Sequence, residues 1–180
     1  MRLFIGFPVG GTAQATLAKV AQGIQAMVPG RYPAPELYHL TLAYLGERAP
    51  EALHTLEALL SGIARRHTPL TLSVTGLGTF PQGQRYLLYA AVKPTPPLLS
   101  LSHDLRSTLT AAGEAFDAQP FTPHITLARH AQALPAAVCP TFTAEAPCLT
   151  LFHSVRIEEV LRYLPIYAVP FGFRPDPIVP

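Results

Sequence analysis

Positions 2–8 are apolar after Arg2 and stop at Pro8 and Gly10-Gly11, the pattern of a short strand ending in a turn. From Thr12, a suitable N-cap, the spacing changes to the helical period. Leu17, Val20, Ala21, Ile24 and Val28 form one stripe, stopped by Pro29-Gly30. A proline-spaced loop leads to a strand over about 37–45 closed by Gly46, and Leu53, Leu56, Leu60 and Ile63 predict a helix over about 50–67. Leu70-Thr71-Leu72-Ser73-Val74 alternates as a strand and 85–93 reads as another. Gly76, Gly78, Pro81 and Gly83 are assigned to the connection between them.

The second half follows the same plan. Leu98, Leu101, Leu105, Leu109 and Ala112 predict a helix ending at Gly113, and Pro123 opens a strand over about 124–129. A short helix near 131–137, strands over about 141–153 and 156–169, and a loose proline-rich tail after Phe171 complete the reading. Several neighbouring strands have connections too short for a parallel crossover, so the expected class is α+β with mainly antiparallel pairing. There is no fixed repeat of 20 to 50 residues; the internal echo is two-fold, and its clearest marks are two tetrads.

These are His39-Leu40-Thr41-Leu42 and His124-Ile125-Thr126-Leu127, 85 residues apart in a chain of 180. In a strand alternate side chains share a face, so each tetrad presents an imidazole and a hydroxyl together while its Leu or Ile turns away. The pattern suggests two similar lobes facing each other across a cleft. Two histidines on one substrate can divide a displacement: one takes a proton from the nucleophile and the other protonates the leaving oxygen, each transfer bringing roughly 10²–10⁴-fold in rate. Two threonine hydroxyls can donate to oxygens that gain charge in the transition state. The set suits a phosphodiester, with two non-bridging oxygens for two hydroxyls and entering and leaving oxygens for two imidazoles. No metal or other cofactor is required. The residues leave open which histidine is acid and which is base.

Composition narrows the alternatives. A formal net charge of +2 does not describe a protein that coats duplexes. The cations are nearly all arginine, Lys19 and Lys93 being the lysines, and arginine suits forked contact with phosphate. Twenty prolines sit mostly at joints, where they shrink the entropy of the unfolded chain. Two cysteines, Cys139 and Cys148, with no recognisable leader and no apolar run of the roughly 18 residues that span a bilayer, predict a soluble cytoplasmic protein with reduced thiols. Nothing demands more than a monomer.

The remaining histidines are His54, His67, His103, His130 and His153; none forms a short cluster with zinc-ligand spacing. His54 and His67 fall on expected helix surfaces and His103 is also helical, so each is read as solvated. Zinc held by Cys139, Cys148 and His153 has no spacing to support it. The chain has no Gly-x-Ser-x-Gly elbow and no Gly-Lys-Ser/Thr phosphate loop, and Gly76-Leu77-Gly78 lacks the third glycine of a dinucleotide loop.

The two blocks Glu36-Leu37-Tyr38-His39-Leu40-Thr41-Leu42-Ala43-Tyr44-Leu45-Gly46 and Gln119-Pro120-Phe121-Thr122-Pro123-His124-Ile125-Thr126-Leu127-Ala128-Arg129 resemble the motif blocks of the 2H phosphoesterase superfamily. The likeness is to its RNA 2′,3′-cyclic phosphodiesterases, also called 2′-5′ RNA ligases. Met1-Arg2-Leu3-Phe4-Ile5 resembles the opening strand, and Gly76-Leu77-Gly78-Thr79-Phe80-Pro81 the mid-chain loop. The resemblance implies a single bilobal domain over 1–180, each lobe an antiparallel sheet backed by helices, with the tetrads facing a central groove. It implies hydrolysis of a terminal ribose 2′,3′-cyclic phosphate to a 2′-phosphomonoester. His39 would be the proton donor to the 3′ oxygen, His124 the acceptor from water, and Thr41 and Thr126 the phosphate holders. Its partners would be RNA ends or small cyclic nucleotides. The reverse reaction, 2′-5′ ligation of tRNA halves, and a non-catalytic RNA-end binder are the alternatives.

Arg129 is placed at the groove's rim, either on phosphate or in an ion pair. Phe80 is a candidate to stack a terminal base. By strand parity Tyr38 and Tyr44 face away from His39 and Thr41. Two features depart from the family: Arg31-Tyr32 stands where a tryptophan is frequent, and Phe152-His153-Ser154-Val155-Arg156 lacks the glycines expected in a connecting turn.

Overall fold

The computed structural model describes residues 1–134 and 137–172. In chain order the elements are β1 (Arg2–Pro8), α1 (Gly11–Gln25), β2 (His39–Glu47), α2 (Ala52–Ala64), β3 (Leu70–Gln82), β4 (Arg85–Val92), α3 (Pro96–Ala111), β5 (His124–Ala131), β6 (Phe142–Ala146), β7 (Cys148–Ile157) and β8 (Val160–Pro170). The strands form one sheet in the order β6-β3-β4-β5-β2-β1-β7-β8. Every pairing is antiparallel, as short connections require.

The sheet falls into two groups of four strands that meet between β5 and β2, where the register contains the pair Leu40↔Ile125. Each group contains the same unit, two adjacent antiparallel strands with a helix between them: β1–α1–β2 in one and β4–α3–β5 in the other. This is the two-fold echo of the sequence. A further constraint comes from Pro147, which alone separates β6, at one edge, from β7, seventh across the sheet. One residue spans only about 7 Å of chain, so the sheet curls until β6 and β7 meet.

Burial follows the alternation. Leu3, Ile5 and Phe7 of β1, Leu40 and Leu42 of β2, and Ile125 and Leu127 of β5 are buried in one cluster with Leu17 and Ile24 of α1, Leu56 and Leu60 of α2, and Leu101 and Leu105 of α3. Each such side chain contributes about 1.5–3 kcal/mol by leaving water, and together they hold the helices on one face. The other face carries Phe4, His39, Thr41, Phe80 and His124 along a common groove.

Several local expectations change. Gly10, not Thr12, is the N-cap of α1, without a side-chain cap, and the helix ends at Gln25 although Val28 is still buried. Residues 70–82 form a single strand hairpinned to β4, so Gly76, Gly78 and Pro81 lie within β3 and only Gly83-Gln84 turn. A register shift between Val74 and Gly76 absorbs the irregularity that the glycines signal. No helix forms from 131: Ala131 closes β5, 132–134 are irregular, and 135–136 lie outside the described residues. The strand expected over 141–153 is cut at Pro147, and the tail from 173 lies outside the described residues.

The turn without glycines is Glu158-Glu159, closing the β7–β8 hairpin across Ile157↔Val160 with φ of 49° and 64°. Positive φ at both positions is the demand of a type I′ turn, for which Asn-Gly is favoured, and a residue with a Cβ bears roughly 1–2 kcal/mol there. Replacing Glu158-Glu159 by Asn-Gly is therefore expected to raise unfolding stability by about 1–2 kcal/mol, read as a higher denaturant midpoint at unchanged slope. A lower midpoint would count against this turn geometry.

Candidate active site

The tetrads open β2 and β5, the two strands that join the halves of the sheet. Extending the register from Leu40↔Ile125 sets His39 across from Thr126 and Thr41 across from His124. The two histidines then lie on a diagonal, whose Cα atoms are about 7–8 Å apart in a regular ladder. His39, Thr41 and His124 line a groove of about 900 Å³, and Thr126 with His39 lines a neighbouring cavity of about 410 Å³. Arg129 borders both.

Each ring is oriented in the same way. His39 Nδ1 lies 2.6 Å from the Leu37 carbonyl oxygen, and His124 Nδ1 lies 2.7 Å from that of Thr122. A carbonyl only accepts, so both Nδ1 atoms carry the proton and Nε2 is left as the accepting nitrogen of each neutral ring. Aromatic walls complete the seats. His39 packs against Phe4 (centroids 4.7 Å) and edge-on to Tyr163 (4.9 Å). His124 packs against Phe80 (5.2 Å) and Tyr89 (5.3 Å). Tyr89 in turn lies across Gly78, where any Cβ would run into its ring.

Burial among these rings pushes the His39 pKa down to about 4; the Leu37 carbonyl opposes the shift, and the charges of Arg129 and His124 add to it. His124 is lowered too, chiefly by burial and then by Arg129, against the pull of the Thr122 carbonyl. Both imidazoles are thus neutral in the empty site at neutral pH.

Parity fails one turn beyond the tetrads. In β2 the register skips Leu42, pairing Gly6↔Thr41 and then Ile5↔Ala43; in β5 it skips Leu127, pairing Tyr89↔Thr126 and then Leu88↔Ala128. These are β-bulges at equivalent places, each leaving two consecutive buried residues, Leu42-Ala43 and Leu127-Ala128. They turn the next residue, Tyr44 in one half and Arg129 in the other, onto the groove face. Against the parity expectation, Tyr44 borders the groove at 41% exposure, whereas Tyr38 is buried as expected. Arg129 is exposed and pairs with no carboxylate among the described residues. Phe80 lies on β3, not in a loop, where it packs on Tyr89 (4.5 Å) as well as His124.

The family model of the 2′-5′ RNA ligase superfamily matches residues 14–160. The chain belongs to this superfamily. An RNA 2′,3′-cyclic phosphodiesterase of Thermus thermophilus is 31% identical over 94% of this chain and 87% of its own length. One from Geobacillus stearothermophilus is 29% identical over 96% of this chain, which spans 58% of that relative's length. The crystal structure of Escherichia coli LigT complexed with 3′-AMP superposes with a TM-score of 0.75 at 27% identity, covering 94% of this chain and 97% of LigT. The α+β architecture expected from the short strand connections is the fold this superfamily member has in common with LigT.

Outside the tetrads, His153 borders the groove, and His54 and His103 are exposed. His67 is a correction to the sequence reading: it lies beyond α2, 14% exposed, with Nε2 at 2.9 Å from Asp104 on α3. That contact, together with the Arg66–Asp104 ion pair, ties the end of the second helix to the third. Cys139 is buried and Cys148 half-buried, both as free thiols. Among the described residues no group of three His, Cys, Asp or Glu is arranged to hold a metal, and no helix is long and apolar enough to cross a membrane.

The lowered His39 pKa makes a stability prediction for this ligase-superfamily fold. Unfolded His39 titrates near 6.5 and folded His39 near 4, so between these values the unfolded chain binds more protons and stability rises with pH. The protein is expected to lose stability as pH falls from about 7 to 4, with a smaller loss for His39→Gln, measured by urea unfolding across that range. Equal slopes for the two proteins would remove His39 from the account.

Proposed function

We propose that the chain hydrolyses a terminal ribose 2′,3′-cyclic phosphate of RNA to the 2′-phosphomonoester, using the two His-x-Thr pairs and no metal. The observation that carries this reading is the matched pair of Nδ1–carbonyl bonds on strands aligned through Leu40↔Ile125, which leave two Nε2 atoms, with the Thr41 hydroxyl in the same groove and the Thr126 hydroxyl in the cavity that adjoins it at His39. The names of the Thermus and Geobacillus relatives support the same activity.

In this mechanism water lies on the His124 side and His124 Nε2 takes its proton as the water oxygen bonds to phosphorus. The P–O3′ bond breaks, and the 3′ oxygen takes the proton that His39 Nε2 carries. Thr41 and Thr126 donate to the two non-bridging oxygens, and Arg129 offsets their growing charge. His39 ends neutral and His124 protonated, and exchange with solvent restores the pair. The assignment of roles follows the family resemblance. It agrees with His39, held down to about 4 in the empty site, readily giving up the proton it takes from solvent when a bound phosphate anion raises its proton affinity. A proton-donating and a proton-accepting imidazole account for both transfers, so no bound metal is asked to act.

The test is turnover of an RNA ending in a 2′,3′-cyclic phosphate, in buffer with EDTA, with the product identified as the 2′- or 3′-phosphate. Wild type should yield the 2′-phosphate at a rate within twofold of that without chelator. His39→Ala and His124→Ala should each lower kcat/KM by about 100-fold or more. Thr41→Val and Thr126→Val should each lower it roughly 10- to 100-fold, the worth of a hydrogen bond to a charged group. Binding without turnover would favour an RNA-end binder instead. Because kcat/KM reports the free protein, and both imidazoles are lowered there, its pH profile should be a bell with its apex below 6.5. A flat profile from pH 5 to 9 would rule out two titrating partners.

A further inference from the structure

The 410 Å³ cavity beside Thr126 has a wall that one phosphate does not explain. Arg31, Arg129, Arg156 and Arg162 line it, and no carboxylate does. The whole chain has 13 lysines and arginines against 11 acidic residues, so four cations around one cavity without a counter-charge is a local concentration. None of the four makes an ion pair among the described residues. Apart from His39 and Thr126, the rest of the lining is apolar or aromatic, including Leu37, Val160, Leu161 and the rings of Tyr32 and Tyr163.

The wall is built and held in place. Arg31 and Arg129 exchange both backbone hydrogen bonds, Arg31 N to Arg129 O at 2.8 Å and Arg129 N to Arg31 O at 2.9 Å. The Tyr32 hydroxyl donates to the Val28 carbonyl at 2.8 Å. Arg156 and Arg162 come from the β7–β8 hairpin, and Arg156 Nη1 donates to the Glu159 carbonyl at 2.8 Å. Arg31 also borders a further cavity with Arg85 and His130, so positive charge continues outward from the His/Thr cluster.

We propose that this cavity receives the phosphodiester and nucleoside that precede the terminal cyclic phosphate, which makes the preferred substrate an RNA strand of at least two nucleotides. The inference rests on the catalytic reading above for the position of the terminal phosphate. A nucleoside cyclic phosphate has one anion, met by the tetrads and Arg129 with Arg156 at the edge of the same groove, and would leave Arg31 and Arg162 facing nothing. A strand supplies the next phosphate, which arginine forks recognise well, and an unpaired base to lie on the apolar and aromatic lining.

Arg31 and Arg162 border this cavity and not the larger groove, so the double variant Arg31→Gln/Arg162→Gln isolates it. The readout is binding of a 5′-labelled trinucleotide ending in a 2′-phosphate, by fluorescence anisotropy at 50 and 200 mM NaCl, with nucleoside 2′-phosphate as competitor. Wild type should bind the trinucleotide at least tenfold more tightly than the nucleoside. The double variant should lose most of that preference, weaken nucleoside binding less than threefold, and show a salt dependence shallower by about 0.7 for each phosphate it no longer neutralises. Arg31→Lys/Arg162→Lys should keep the salt dependence, which separates loss of charge from loss of fold. Equal affinity of wild type for the two ligands, or equal loss of both in the Gln variant while the Lys variant binds normally, would overturn the proposal. Hydrolysis of a nucleoside 2′,3′-cyclic phosphate is followed in parallel. No hydrolysis with arginine-dependent trinucleotide binding intact would defeat the catalytic reading and uphold this one.

Discussion

The pairing of Leu40 with Ile125 is the constraint on which the site depends. It joins two four-stranded halves of the sheet, and the side-chain alternation on either side of it sets what each half presents. A slip of one residue would send His39 and Thr41 into the core and Leu40 and Leu42 into the groove, because strand side chains alternate with period two. Burial of Leu40, Leu42, Ile125 and Leu127, all at 2% exposure or less, opposes that slip with several kcal/mol. The apolar half of each tetrad therefore holds the register that the polar half needs. Tetrad composition is one device serving fold and site together.

Near-symmetry of the backbone is broken by side chains. Equivalent bulges turn one residue from each half into the groove, and these residues are Tyr44 and Arg129. His39 packs against Phe4 and Tyr163, and His124 against Phe80 and Tyr89. The same carbonyl contact is thus kept on both sides while the electrostatic surroundings differ. Two groups with equal pKa values would divide acid and base work poorly; unequal surroundings give each imidazole its own proton affinity.

Much of this is readable from residue order. Helical stripes at Leu17 to Ile24 and Leu98 to Leu109, and the same-face placement of His and Thr, rest on local periodicity, which tertiary packing reinforces. The failures have a common cause. Strand parity for Tyr44 ignores a bulge at Leu42, and the repeated Leu-Ala where each tetrad ends is its visible trace. Glycines in 76–83 read as loop, yet Gly78 is where Tyr89 needs room and β3 runs on through it. Glu158-Glu159 takes positive φ where sequence preference points elsewhere, because the β7–β8 pairing fixes a two-residue turn. His67 looks solvated in the sequence because its partner, Asp104, is 37 residues away in the chain and reaches it only once α2 meets α3.

On the proposed reading, Arg129 resolves a conflict within the site. Burial makes the imidazoles resist protonation, and an unpaired guanidinium nearby strengthens that resistance. Left so, His39 could not donate a proton near neutrality. A phosphate entering the groove pairs with Arg129, cancelling its effect on the rings, and brings negative charge against both Nε2 atoms. Both changes raise the imidazole pKa values. The arginine therefore adds to burial in keeping the empty site uncharged at its histidines, and that part of the resistance is lifted when an anion arrives, so the acid is armed by the group on which it acts.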